Sequence, residues 1–348
     1  MKRLLLSFAA ALFAVAGFGQ TVDRDVLVTP GGTVYTVETQ TPPDSTMDAS
    51  RTLVLTVQDG TNVSHVSVPD STSAGFHSCG GLAYDADSDT LFLIWIHTPN
   101  GMSSELLLTS YHQGAWKQAV SIDNEQYSLR SNLRLGITRR VSQLQADGTF
   151  ADAPALLLHA VWWDESGDGE EARYALLATE KGALASVETH SLSEFVAAAD
   201  NPTNTVDPTF NKELLRHPAI VSTPMQDTVD VVFGDTGSNA IHGLSLHPIA
   251  DVRIHIPVGI GGGGNGSGGG PKALNIAAPP SFNADWTGPI PVIEHGTSLA
   301  FANVGDTSLN YITYTNGTWA GVKAIAIDSH FPAEAALAAL DRMLLSAQ

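Results

Sequence analysis

The stretch "LFLIWIHTPNGMSSELLLTSYHQGAWKQAVSID" (residues 91–123) has a counterpart near the end of the chain, "SLAFANVGDTSLNYITYTNGTWAGVKAIAID" (residues 298–328). Both read as a strand, a polar loop, a second strand, a short turn ending in Gly-x-Trp, and a last apolar strand ending in Ile-Asp. Leu106 matches Leu309, Tyr111 matches Tyr314 and Trp116 matches Trp319 without a gap. Runs of Val, Ile, Leu, Thr and aromatic residues separated by Gly, Asp, Asn and Pro mark short strands joined by turns. Recurrence of a whole strand order marks a repeat protein.

The same order recurs with weaker identities. In "VLVTPGGTVYTVET" and "RTLVLTVQDGTNVSHVSVP", Pro-Gly-Gly and Asp-Gly make tight turns, because glycine tolerates the positive φ they need. "ALLLHAVWWDESGDGEEARYALLATEKGALASVETHSL" and "HPAIVSTPMQDTVDVVFGDTGSNAIHGLSLHPIADVRIHI" supply two more units, with "VVFGD" matching "AVWWD". The units fall near 25–68, 77–123, 131–190, 217–257 and 289–328. A four-stranded antiparallel sheet of this size cannot bury both faces alone, whereas radially stacked sheets bury them against one another. The fold class is therefore all-β, a β-propeller of about five four-stranded blades, or six if 257–288 hides an irregular one.

Around this domain, expected over 20–330, the chain has other segments. "MKRLLLSFAAALFAVAGFGQ" carries two basic residues, an apolar run and small residues with Ala14 and Ala16 spaced as in A-x-A, the pattern of a signal peptide over 1–19. No other segment is long and apolar enough to span a bilayer, so the expected location is secreted, extracellular or periplasmic, without membrane insertion. "SLSEFVAAADNP" and "DPTFNKELLRH" read as two short helices between the third and fourth units. "GIGGGGNGSGGGP" (259–271) reads as a flexible insertion with no phosphate-loop lysine. Leu337, Leu340 and Leu344 behind Pro332 predict a C-terminal helix within 331–348 that packs on the propeller.

The formal net charge is −19, and loss of residues 1–19 removes Lys2 and Arg3 but no acid. Such a surface repels nucleic acid and anionic lipid and keeps the chain soluble, and a monomer is expected. Cys79 is the only cysteine, so no intrachain disulfide forms, and it reads as a small buried apolar side chain.

In a propeller the loop between the second and third strands lies on the same face as the start of the first strand. That face, called the front face below, is expected to present His77, His97, Asn100, Asp164, Glu165, His217, Asp235, Asn303 and Asp306, a polar set suited to reading a ligand. Within "DESGDGEE" (164–171), Asp164, Ser166 and Asp168 before Gly169 match the first half of a calcium loop, although Ala175 stands where the bidentate glutamate would be. Calcium is thus the one cofactor the sequence suggests, against a plain strand connection. Trp95, Trp162 and Phe233 occupy matching second-strand positions and read as core between sheets.

"HPAIV", "DTVDVVFGD", "LLLHAVWWDESGD" and the turns "NGTW" and "QGAW" resemble blades of the sialidase-like, Asp-box-bearing propeller superfamily. The box there has the form Ser-x-Asp-x-Gly-x-Thr-Trp. Here the degenerate "YTNGTW" keeps Gly317, Thr318 and Trp319, while Tyr314 and Asn316 stand near where its Ser and Asp would be. The resemblance implies the propeller fold and, in the enzymes of that superfamily, three arginines, a Tyr-Glu nucleophile pair and an Asp acid. The sequence does not place such arginines. The expected role is a secreted, non-catalytic binding or scaffold propeller whose partner is a carbohydrate or a cell-surface protein. The alternative is a divergent glycoside hydrolase of the sialidase-like or five-bladed type, which would need paired carboxylates at the innermost strands.

Overall fold

The structure, a computed structural model, describes residues 24–40, 52–69, 71, 75–99, 103–123, 128–144, 146–147, 150–166, 169–180, 183–192, 215–222, 229–235, 240–246, 292–295, 298–315 and 318–346. These form five antiparallel sheets in chain order, each a meander of consecutive strands apart from the last strand of the second and fifth sheets. The first holds β1 (Arg24–Val28), β2 (Val34–Gln40), β3 (Thr52–Asp59) and β4 (Asn62–Ser67). The second holds β5 (Phe76–Asp85), β6 (Thr90–Thr98), β7 (Glu105–His112), β8 (Ala115–Trp116) and β9 (Val120–Asp123). The third holds β10 (Leu129–Leu144), β11 (Phe150–Ser166), β12 (Gly169–Glu180) and β13 (Ala183–Ser191). The fourth holds β14 (Leu215–Ser222), β15 (Val229–Asp235) and β16 (Ala240–Leu246). The fifth holds β17 (Val292–His295), β18 (Ser298–Val304), β19 (Ser308–Thr315), β20 (Thr318–Trp319) and β21 (Lys323–Ala326), and the helix α1 (Ala333–Leu345) follows.

The repeat read from the sequence is present in register. Tyr111 pairs with Trp116 and Tyr314 with Trp319, the rings 4.9 Å apart at 55° in one sheet and 4.8 Å at 50° in the other. The fourth strand of these two sheets is split: β8 and β9 both pair with β7, and β20 and β21 both pair with β19. First strands lie side by side, β1 by β5, β5 by β10, β10 by β14 and β14 by β17. This is the arrangement of a β-propeller, with the first strand of every sheet innermost.

The run "LFLIWI" lacks polar alternation because both faces of β6 are covered. Leu91, Leu93 and Trp95 pack toward the first sheet with Val37, Leu53 and Leu55, while Phe92, Ile94 and Ile96 pack toward the third with Leu158, Ala160 and Trp162. Each seam between sheets holds an aromatic from the later sheet's second strand: Trp95, Trp162, Phe233 and Phe301, all fully buried. Truncating one of them to alanine removes about 3–5 kcal/mol by lost transfer energy and cavity formation. The far face of the fifth sheet, Ala300, Ala302, Leu309 and Tyr311, is covered by Ala336, Leu340 and Leu344 of α1.

Innermost strands approach closely where a side chain is missing. A Cβ on Gly80 would fall 2.4 Å from Leu133 Cδ2 and 2.6 Å from the Ile94 carbonyl oxygen. Two polar side chains also bridge these strands: the Leu82 N–H donates to Asp25 Oδ2 at 2.8 Å, and the Ile137 N–H donates to Ser222 Oγ at 2.9 Å. Asp25, one of the few acids at an innermost strand, therefore satisfies a neighbouring backbone donor.

Five sheets are present among the described residues. The alternative sixth blade rests on 257–288, which lies outside them, as do the leader 1–19, the Gly-rich 259–271, the side chain of Cys79 and most of the two stretches expected as short helices, 191–202 and 207–217; Ser191 instead ends β13 and Leu215–His217 open β14 as strand. No helix among the described residues is long and apolar enough to cross a membrane.

Candidate functional site

On the front face the second and third sheets carry equivalent rows of polar residues. In the second sheet His77 of β5 pairs with His97 of β6, which pairs with Glu105 of β7. In the third, Arg130 of β10 pairs with Asp164 of β11, which pairs with Glu171 of β12. His77 and Arg130 are each the second residue of an innermost strand, and each follows an exposed apolar residue, Phe76 or Leu129.

The His77 and His97 rings stack with centroids 4.4 Å apart and planes 7° from parallel, and both side chains are buried. His97 Nδ1 lies 2.9 Å from Glu105 Oε1, so this nitrogen donates to the carboxylate. Imidazole lone pairs lie in the ring plane, so two stacked rings do not converge on a common metal ion. Among the described residues no group of three or more His, Cys, Asp or Glu is arranged to hold one.

The second row is a buried ion network. Arg130, with no exposed side-chain surface, places Nη2 3.0 Å from Asp123 Oδ1 and Nε 3.6 Å from Asp164 Oδ2. It also donates to the Ser104 carbonyl, and its backbone N–H donates to Ser104 Oγ at 2.8 Å. Asp164 accepts from Ser128 Oγ and from Trp162 Nε1 at 3.3 Å. Arg173 Nε sits 2.9 Å from Glu171 and 4.0 Å from Asp164. Ser104 adjoins Glu105, so the two rows form one continuous polar band.

The stretch "DESGDGEE" is a hairpin: β11 and β12 stay paired through Asp164–Glu171, Glu165–Glu170 and Ser166–Gly169. Asp164 turns its carboxylate into the band, so a calcium ion at this loop would compete with Arg130 for it. The side chain of Ser166 and all of Asp168 lie outside the described residues.

The structure brings His77 and His97 together and ties Asp164 to Arg130. Glu165 is exposed at the end of β11, Asn303 is half-buried near the end of β18, and Asp306 is exposed in the β18–β19 connection. His217 falls in the register shift of β14 between Arg216 and Ala219, and Asp235 ends β15, but their side chains lie outside the described residues, as does Asn100. Sequence reading missed Glu105, Asp123, Arg130, Glu171 and Arg173. The signal was available in part, because Arg130 stands one residue after Leu129 as His77 stands after Phe76.

A second buried polar chain lies deeper in the third sheet. His159 contacts Thr138 Oγ1 through Nε2 at 2.8 Å and the Tyr174 hydroxyl through Nδ1 at 2.7 Å. Burial lowers its pKa to about 3, so it stays neutral, with one ring nitrogen donating and the other accepting.

No protein-family model matches the chain. No curated protein matches it. Similar solved structures include the Penicillium chrysogenum alpha-L-arabinanase complexed with arabinobiose, 12% identical over 87% of this chain and 79% of that one, with a TM-score of 0.46. The Trypanosoma rangeli sialidase is 8% identical over 87% of this chain and 47% of that one, with a TM-score of 0.44. A Mycobacterium tuberculosis puromycin-hydrolyzing peptidase is 10% identical over 86% of this chain and 37% of that one, with a TM-score of 0.41. The chain's five sheets with their first strands side by side make it a β-propeller.

Proposed function

We propose that the front face binds carbohydrate without cleaving it, in an exported monomer. The observation that supports this most directly is the rim left outside the buried band. Glu165 and Asp306 present accessible carboxylates, and Asn303 adds an amide. Phe76 stands at the same end of the sheets with about two-fifths of its surface open to solvent. Carboxylates accept from sugar hydroxyls, and an aromatic ring packs on the apolar face of a pyranose. A formal net charge of −19 fits a neutral hydroxylated ligand better than a polyanion. Two acids of the inner sheets fit binding too: Asp25, on an innermost strand, is occupied by the Leu82 N–H, and Asp164, on a second strand, by Arg130, Ser128 and Trp162.

Two assays on the purified protein test the reading. A glycan array should show binding that Phe76→Ala weakens, while a panel of aryl glycosides should stay unhydrolysed. Turnover of any aryl glycoside would transfer the assignment to a divergent glycoside hydrolase. No glycan bound, with capture of a cell-surface protein instead, would transfer it to protein recognition.

A further inference from the structure

We infer that the seam between the first and second sheets, at its end opposite the front face, binds a methylated ammonium group on the rings of Tyr35, Tyr84, Tyr111 and Trp116 beside the carboxylate of Asp89. Two cross-strand rows face each other there. The first sheet contributes Leu27, Tyr35 and Val57, and the second Tyr84, Leu91, Tyr111 and Trp116. The Tyr35 and Tyr84 rings lie 6.2 Å apart at 35°, and those of Tyr111 and Trp116 4.9 Å apart at 55°. All four residues are half-buried, so each keeps part of its surface open to water.

The repeat supplies a contrast. Between the fourth and fifth sheets the matching places are held by Asp230, the second residue of β15, and by Tyr314, which pairs with Trp319 as Tyr111 pairs with Trp116. There the tyrosine hydroxyl donates to the carboxylate at 2.7 Å and both residues are buried. Tyr35 is likewise the second residue of β2, so a ring stands where the other seam has its acceptor. The first seam therefore ends in aromatic surface where the other ends in a buried hydrogen bond.

The adjoining turn supplies charge. Asp89, between β5 and β6, has φ +50°; its carbonyl accepts from His112 Nδ1 at 2.9 Å and its carboxylate accepts from the Tyr84 hydroxyl at 2.7 Å, which fixes that carboxylate beside the rings. Arg139 of β10 pairs with Asp85 and Asp87 of the same turn, not with Asp89. Burial raises the pKa of Tyr35 and Tyr84, the latter to about 12, and the carboxylates that add to this are Asp59, Asp85 and Asp89. Aromatic faces are negative, so rings and acids here attract the same sign of charge. A methylated ammonium is weakly hydrated and presents its charge through apolar methyl groups, which suits both; a neutral sugar gains nothing from this field. The site lies at the other end of the strands from the proposed carbohydrate rim and is independent of it.

Saturation-transfer NMR titrations of the full chain with choline and with its neutral isostere 3,3-dimethylbutan-1-ol test the site. Choline should bind saturably and about tenfold more tightly than the isostere. Tyr35→Leu should weaken choline about tenfold, whereas Tyr35→Phe should change it by less than about twofold, because the ring face and not the hydroxyl makes the contact. Asp89→Asn should weaken choline about threefold and leave the isostere unaffected. Phe76→Ala, at the carbohydrate rim, should leave choline binding unchanged, so this inference and the carbohydrate reading can fail separately. Equal affinity for choline and the isostere, no saturable binding of choline, or choline binding that Tyr35→Leu leaves intact overturns the inference. Should Tyr35→Leu not fold, the choline–isostere comparison and Asp89→Asn decide.

Discussion

Tyr314 of β19 donates its hydroxyl to Asp230 of β15 at 2.7 Å, across the seam between the fourth and fifth sheets, with both groups buried. Tyr314→Phe leaves a buried carboxylate short of a donor and should destabilise the fold by about 1.5–3 kcal/mol, read from urea denaturation. Burial, reinforced by the hydrogen bond to Asp230 and its charge, holds the Tyr314 hydroxyl well above the ordinary tyrosine range. The unfolded chain ionises this group first, so its contribution is present below about pH 10 and is lost as pH rises beyond it. The phenylalanine variant should show a shallower alkaline decline.

His159 gives the opposite slope. Its pKa is lowered to about 3 by burial, while in the unfolded chain it titrates near 6.5. Between those values the unfolded state binds a proton that the native state refuses. Its contribution is complete above about pH 6.5 and falls as pH drops toward 3, by up to about 1.4 kcal/mol per pH unit. Urea midpoints measured from pH 7 to 4 should fall less steeply in His159→Gln. Parallel curves for the two proteins would show that acid sensitivity arises elsewhere.

Arg130 is a structural cation. Arg130→Met should cost about 3–5 kcal/mol, since Asp123 and Asp164 would lose the guanidinium that pairs with both, Arg173 standing 4.0 Å from Asp164. Arg130→Lys should recover only part of this, because an ammonium cannot reproduce the fork that reaches both aspartates and the Ser104 carbonyl. Thermal melts of the two variants give the comparison.

The hairpin at 164–171 should respond to divalent ions only through general screening of negative charge. Millimolar calcium and magnesium should raise the melting temperature slightly and equally over chelator, in the native chain and in Asp168→Ala. A calcium-specific rise that Asp168→Ala abolishes would instead establish a bound cation by mass action on the folded state.

The leader should be removed on export. Mass spectrometry of the exported protein should find an N-terminus near Gln20, and an intact Met1 would contradict the reading of 1–19 as a signal peptide.

The stacking of sheets was legible because it leaves local marks. The Gly-x-Trp turn sets Trp116 beside Tyr111 and Trp319 beside Tyr314, and both partners lie within one short window. The core aromatics Trp95, Trp162 and Phe233 were legible for the same reason. The polar band was not. "DESGDGEE" looked like an exposed acidic loop because composition reports polarity, whereas strand register decides where a side chain points. The partners of Asp164 that bury it, Ser128 just before β10 and Arg130 within it, lie 34–36 positions away, and only the parallel of Leu129–Arg130 with Phe76–His77 marks the place. Glu105 was passed over because its importance comes from standing opposite His97 across β6 and β7.

The cover that α1 lays over Ala300, Ala302, Leu309 and Tyr311 sets an order of events during biosynthesis. Four seams join one sheet to the next and can close as soon as the later sheet has emerged. The outer face of the fifth sheet has its cover only after Leu344 has left the ribosome. A chain cut before that helix would display a strip of alanine, leucine and tyrosine side chains to every neighbour, the kind of exposed apolar surface that favours association over solubility.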